Sequence, residues 1–462
     1  MKKVVILFLV VGNINAQSIQ KADDIYNRAR ELYSSNLDSS LFLTNQSLKL
    51  YQELNDESKI ARSHHLLGAI LYIKDSLRYS LEHYMAAMDI NERLGVNNKI
   101  LIENVGHIFF KVKHYQKAIE YYTKAIGKSE KDDIDFIVKV HKQIGSTYQE
   151  MGRFVESLNH YKQALKLKDT TNLSNELGAL YNELGIVHKD LGNYHEALRF
   201  YDSSLKVKQA LSDTLGFAYT YHNAGKVYEL QGYIDKATEL YKLALDIKIK
   251  FNSKTTHSSL NNLGKIFIQS NQLDSALVYL ERAEQIKYGS LAKEPLKTTC
   301  NLLAELWSLK GDQMAQFKYI TLHTKVSNEL AEAQKVSELL RQEQLHDLVK
   351  IEQDFLALRN QVNQNKLKIS LLTVIVTLIA IALISFFVYF KYLQKKAKLN
   401  YIGDQTKHVA KMAVKMQEPL EKLDEINSKK VNYQDTHPED PEEKKRFLRK
   451  LVDALNQIIK VN

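Results

Sequence analysis

The chain has 462 residues, 44% of them hydrophobic and 26% charged, which is ample material for a sizeable core. Only four prolines and 17 glycines are present to break helices, so an all-α fold is expected, and the single cysteine, Cys300, excludes an intramolecular disulfide and a cysteine-based zinc cluster. A formal charge of +10 raises nucleic acid as a partner, but both ends of the chain point to a membrane, and no nucleic-acid partner is expected.

At the start of the chain, Lys2 and Lys3 precede an apolar run from Val4 to Val11, and Asn13-Ile14-Asn15-Ala16-Gln17 offers a small residue to a signal peptidase. Residues 1–16 therefore read as a secretory signal cut after Ala16. Beyond it, glycines recur at Gly68, Gly106, Gly145, Gly185, Gly225 and Gly264, with Ala304 in step, at intervals of 38 to 40 residues. Other residues fall into the same register. Three positions on stand Phe109, Tyr148, Tyr228 and Phe267; twelve on, Ala118, Ala197, Ala237 and Ala276. Sixteen on stand Tyr84, Tyr122, Tyr161, Tyr201 and Tyr241; nineteen on, Ala87, Ala125, Ala164, Ala244 and Ala283. Such recurrence predicts stacked helical hairpins, in which small residues let paired helices approach and large aromatics fill the space between neighbouring hairpins.

The pattern, as in YNELGIVHKDLGNYHEALRFYDSSL from Tyr181 to Leu205, resembles the tetratricopeptide-repeat (TPR) family in its leucine-glycine, tyrosine, alanine, aromatic and alanine positions. The resemblance covers roughly residues 21–324 and implies an α-solenoid of about seven to eight hairpins, placed here within residues 17–324. The period is about 40 rather than the family's 34, and no proline closes a unit, so each hairpin is expected to carry helices longer by about a turn. A first unit, about residues 21–58, has Arg28 at the glycine position, and a last, about 296–324, keeps Ala304 and Trp307; both read as caps.

A solenoid offers a long concave groove lined by the first helix of each unit, not an enzyme pocket. Two and three positions before each glycine stand Glu103 and Asn104, Lys142 and Gln143, Asn182 and Glu183, His222 and Asn223, Asn261 and Asn262, then Asn301 in the last unit. The segments YNELG, YHNAG and LNNLG resemble the asparagine-bearing repeats of kinesin light chains, which implies a grip on the backbone of an extended peptide. A side-chain amide, with one acceptor and two donors, suits that task. The expected peptide-binding set is Asn104, Asn182, His222, Asn223, Asn261, Asn262 and Asn301; the alternative is a helix face that merely stays wet.

Chemistry elsewhere is sparse, and no catalytic residue, metal or cofactor is expected. Cys300 stands where the family places a buried aromatic and reads as an inert thiol. His195-Glu196 opens like a zinc-protease motif but has Arg199 where the second histidine belongs. Asp132, Asp133 and Asp135 read as a solvated charge cluster.

After the last unit, Val326, Leu330, Ala333, Val336 and Leu340 follow a three-four spacing, which Leu348, Ile351, Phe355, Leu358 and Val362 resume after a break near Gln344. Residues 325–367 therefore read as a coiled-coil-like connecting helix, about 60 Å long between Val326 and Gln364. It suits a homodimer through residues 326–364, a stalk, or a helix packed back on the final repeats. From Ile369 to Phe390 an uncharged stretch is long enough to cross a bilayer. Lys391, Lys395, Lys396 and Lys398 follow it, with Tyr389 and Tyr392 at an aromatic belt, which places the following residues in the cytoplasm.

The tail, residues 391–462, holds two amphipathic segments. One carries Val409, Met412, Met416, Leu420 and Leu423 and is bent by Pro419; the other opens at Asp440-Pro441 and carries Phe447, Leu448, Leu451, Leu455 and Ile458. Both are too small to bury a large core alone, which calls for a cytoplasmic protein partner or for pairing with each other in a dimer. The whole layout resembles bacterial membrane-bound TPR sensor histidine kinases and regulators, but His408 lacks the kinase's threonine-proline pair, and neither an ATP-binding segment nor a helix-turn-helix follows. The expectation is thus a non-catalytic signalling protein, single-pass in a bacterial inner membrane with its repeats in the periplasm. Alternatives are the sensory half of a split kinase and a periplasmic assembly scaffold.

Overall fold

A computed structural model describes residues 2–286 and 293–397, with side chains over 17–286 and 293–389. The amphipathic segments expected in the tail lie outside the described residues. Among those residues there are sixteen α-helices and no strand. Seven hairpins pair α1 (Lys2–Leu32) with α2 (Leu37–Glu53), α3 (Glu57–Ile73) with α4 (Leu77–Arg93), α5 (Lys99–Lys111) with α6 (Tyr115–Gly127), α7 (Ile134–Glu150) with α8 (Phe154–Leu167), α9 (Asn175–Asp190) with α10 (Tyr194–Ala210), α11 (Thr214–Leu230) with α12 (Ile234–Lys250), and α13 (Thr256–Gln269) with α14 (Leu273–Gln285). An eighth pairs α15 (Lys293–Lys310) with the beginning of α16 (Gln313–Ala397).

The helices start where polar side chains cover their first amides. Asn36 Oδ1 accepts from the Ser39 amide at 3.0 Å, Asp56 Oδ1 from Lys59 at 3.1 Å, and Ser174 Oγ from Leu177 at 3.2 Å. Within hairpins the chain reverses through a left-handed residue, supplied by Gly152, Gly192 and Gly232 at φ between 71° and 81°. Lys113 takes the same turn at φ 58°, at a cost of about 1–2 kcal/mol.

The repeated glycine and the tyrosine sixteen positions on form one packing unit. A Cβ added at Gly68 or Gly106 would stand 2.6 Å from the ring of Tyr84 or Tyr122, and Gly145, Gly185 and Gly225 face Tyr161, Tyr201 and Tyr241 in the same way. Each pair lies on the two helices of a single hairpin, so these tyrosines clamp a hairpin shut, whereas the sequence had suggested that they fill the gap between hairpins. The recurring alanines Ala118, Ala125, Ala197, Ala237, Ala244, Ala276 and Ala283 are wholly buried at the same crossings. Adjacent hairpins are tied by ion pairs whose members lie thirty-six residues apart: Lys59 to Asp23 at 2.8 Å, Lys111 to Asp75 at 2.8 Å and Lys265 to Glu229 at 2.8 Å. Most are partly exposed, so each adds about 0–1 kcal/mol and serves register more than stability.

The chain divides into two compact units, Met1–Leu356 and Ala357–Asn462, and the boundary falls inside α16. In the first unit α16 opens as the partner of α15, with Tyr319 and Val326 buried. It is then exposed from residue 331 to 340 and becomes buried again at Leu348, which joins the core of the second and third hairpins. The connecting helix thus packs back on early repeats, not on the final ones alone. In the second unit the described residues are helical, and many of their apolar side chains, among them Leu371, Leu378, Ile381 and Ile384, are exposed. This helix is long and apolar enough to cross a membrane.

Candidate functional site

The first helices of successive hairpins stand side by side, and the polar positions just before each glycine meet across their boundaries. Asn104 Nδ2 on α5 lies 3.1 Å from His65 Nε2 on α3. Gln143 Nε2 on α7 donates to Glu103 Oε1 on α5 at 2.6 Å, and Asn223 Nδ2 on α11 donates to Asn182 Oδ1 on α9 at 3.1 Å. Asn261 Nδ2 on α13 donates to the Pro295 carbonyl at 3.1 Å, and its Oδ1 accepts from Thr299 Oγ1 on α15 at 2.9 Å. The row is therefore first of all a hydrogen-bonded ladder between repeats.

That placement separates the expected binding residues into two groups. Asn182 and Asn261 are buried and spend their amides on neighbouring helices. Asn104, Asn223 and Asn262 are half-buried and Asn301 is exposed. His222, half-buried, has its Nδ1 3.3 Å from Ser259 Oγ. Burial pushes its imidazole down to about 3, helped by the Lys248 and Lys226 ammonium groups, so it is neutral and offers one donor and one acceptor.

One charged knot interrupts the ladder. Glu103 is 1% exposed, and burial alone would raise its carboxyl; hydrogen bonds from His107, Lys139 and Gln143 outweigh that and hold it below the ordinary range. Burial raises Glu183 on the next repeat but one.

Sequence reading missed the lysines buried behind this wall. Lys208 and Lys248 stand forty residues apart, one repeat, and their ammonium groups are held by hydroxyl and carbonyl oxygens. Lys208 Nζ donates to Thr220 Oγ1 at 2.7 Å and the Gly216 carbonyl at 3.1 Å; Lys248 Nζ donates to Ser259 Oγ at 3.1 Å. The matching register was the available signal. Burial pushes Lys248 down to about 8. Its folded value is depressed, so the fold is penalised wherever the ammonium is charged, fully below pH 8, and the penalty fades between about pH 8 and 10.5. Lys248→Met is expected to stabilise the solenoid at pH 7 by about 1–2 kcal/mol, read as a raised urea midpoint; an equal or lower midpoint would contradict this account.

The other sequence motifs assemble no reactive centre. Cys300 is wholly buried, and burial pushes its thiol up to about 11. Asp133 pairs with Lys99, and Asp135 with Lys168 at 3.0 Å. Among the described residues no three His, Cys, Asp or Glu side chains stand close enough to hold a metal ion.

Comparison with known proteins agrees with this geometry. Tetratricopeptide-repeat family models match residues 102–131, 139–171, 176–250 and 257–288. The human intraflagellar transport protein 88 homolog is 24% identical over 92 residues, 20% of this chain, and the match spans 11% of that protein's length. Among solved structures, the apo quorum sensor NprR from B. thuringiensis superposes with a TM-score of 0.51 at 16% identity, covering 68% of this chain and 87% of NprR. A tetratricopeptide repeat protein from Parabacteroides merdae matches at a TM-score of 0.44 and 17% identity, over 61% of this chain and 99% of that one. With glycine-tyrosine clamps in five successive hairpins and these family-model matches, the chain carries tetratricopeptide repeats.

Proposed function

We propose that this is a non-catalytic, membrane-anchored signalling protein whose first helices hold an extended peptide or protein segment and whose tail meets a cytoplasmic partner. TPR stacks generally bind proteins, and the observation that supports a peptide here is the run of half-exposed amides continuing a ladder already spaced at one hydrogen-bonding group per repeat. Residues 1–16 act as the export signal, the apolar stretch from Ile369 to Phe390 as the single span, and the lysines after it as the cytoplasmic anchor.

The test uses Asn262 and Asn301 only, because alanine at Asn104, Asn182, Asn223 or Asn261 would break the ladder itself. In Asn262→Ala/Asn301→Ala, photo-crosslinking in cells from a probe at residue 222 is expected to lose its captured protein, at least tenfold, with helicity retained. Undiminished capture would reduce the row to a structural ladder. Deleting residues 400–462 separates relay from the assembly-scaffold alternative: signalling is lost in the first case, and function survives in the second.

A further inference from the structure

The segment of α16 from Arg341 to Phe355 is fastened to the second and third hairpins by one face. Leu348 is wholly buried in the core that contains Leu77, Leu81 and Val112, and Ile351 and Phe355 pack against it. Glu352, 2% exposed, accepts a hydrogen bond at 2.5 Å from Tyr121 Oη and pairs with Lys117 Nζ. Arg341 Nη1 donates to the Val112 carbonyl at 2.9 Å, and Asp347 stands 3.6 Å from Arg78. Ahead of these fasteners the helix bridges a cleft of about 760 Å³. Along this stretch of helix Val336, Leu339 and Leu340 are 57%, 59% and 54% exposed, more apolar surface than a helix that only connects needs to carry.

The docked Leu348, Ile351 and Phe355 belong to the seam that the sequence predicts. Leu348, Ile351, Phe355, Leu358 and Val362 fall at alternating steps of three and four, the a and d positions of a coiled coil. A side chain buried against the repeats is not available to a second helix. We propose that docking on the second and third hairpins and pairing with a second copy of this chain are mutually exclusive uses of the one stripe, so that release of the docked segment produces a parallel dimer.

The charges beside the stripe set the bias. With Leu348 at an a position, Asp347 and Asp354 take g positions, and Glu352 and Arg359 the e positions they meet across a parallel pair. Asp354 meets Arg359 of the other copy and attracts it, which suits a second copy as occupant. Asp347 meets Glu352 of the other copy and is repelled. In the docked state both of those carboxylates have cationic partners, Arg78 and Lys117, so the docked monomer is the resting form. A buried ion pair contributes little net free energy against separate hydration, so the fastening is reversible and specifies position more than strength.

This inference rests on the relay reading, and its test needs no ligand. The full chain in detergent is followed by sedimentation equilibrium, with helicity and thermal melting confirming the fold of each variant. Glu352→Lys sets like charges against Lys117 and gives Asp347 an attractive partner across the dimer, so dimerisation at least tenfold tighter than wild type is expected. Glu352→Gln loosens docking without that attraction and is expected to fall between the two. Adding Leu348→Asp to Glu352→Lys is expected to return the chain to monomer. Bridging Cys residues at Lys117→Cys and Glu352→Cys with a short bis-maleimide should give a chain that stays monomeric. Unchanged dimerisation in Glu352→Lys, or a dimer that persists with Leu348→Asp or when bridged, overturns the proposal. Loss of peptide capture with these shifts intact would instead count against the relay reading alone.

Discussion

Gly106→Ala is expected to destabilise the solenoid by about 1–3 kcal/mol, although alanine is ordinarily the better helix residue by nearly 1 kcal/mol. The new methyl would lie 2.6 Å from a ring carbon of Tyr122, which is 1% exposed and closed in on all sides. Gly127, in the second helix of the same hairpin, supplies the contrast. A methyl there meets nothing within 4 Å, so Gly127→Ala is expected to stabilise by up to about 1 kcal/mol. Urea unfolding followed by circular dichroism reads both, and a Gly106→Ala midpoint at or above wild type would remove the clamp from the account. Because repeats couple mainly to their neighbours, the lost cooperativity should be centred on the third hairpin, visible as faster amide exchange there.

Acidification is expected to weaken the fold through two buried histidine pairs. His64 faces His83 with their Nδ1 atoms 2.8 Å apart, and His141 faces His160 at 3.1 Å, each pair occupying the same place in its repeat. Burial first, and then the neighbouring imidazole, pushes His64 and His160 down to about 4. The unfolded chain binds protons from about pH 6.5 downward that the folded chain refuses until about pH 4. Stability is therefore fully present above pH 6.5 and falls through that window, by about 2–4 kcal/mol for the two groups after solvent screening. Asp23, Glu103 and Glu229 have lowered values, and their contribution is lost only below the ordinary carboxylate range, so the two effects separate on the pH axis. Other repeats place Tyr181 and Phe200 at the positions of His141 and His160. His141→Tyr/His160→Phe should accordingly flatten the dependence between pH 6.5 and 4.5; an unaltered slope would assign the acid sensitivity elsewhere.

The hairpin architecture was legible because small and aromatic residues return at fixed offsets, and only stacked helix pairs need that return. Which aromatic meets which glycine was not legible: an offset of sixteen gives a register, and only coordinates place Tyr122 over Gly106 inside one hairpin. The amide row was found by position, but its division into buried rungs, Asn182 and Asn261, and half-exposed members such as Asn223 depends on how closely neighbouring first helices approach. Sequence spacing carries no measure of that approach.

Taken alone, the order of residues determined the helical class, the repeat and the apolar stretch near the end of α16, because each follows from local periodicity or from composition over one span. Tertiary structure decided where the stripe at Leu348, Ile351 and Phe355 goes. Heptad spacing records that a helix has an apolar side, and many surfaces satisfy it equally. Choosing among them took partners more than two hundred residues away, Lys117 and Tyr121 for Glu352 and Val112 for Arg341, which meet the helix only because the stack of hairpins brings them there.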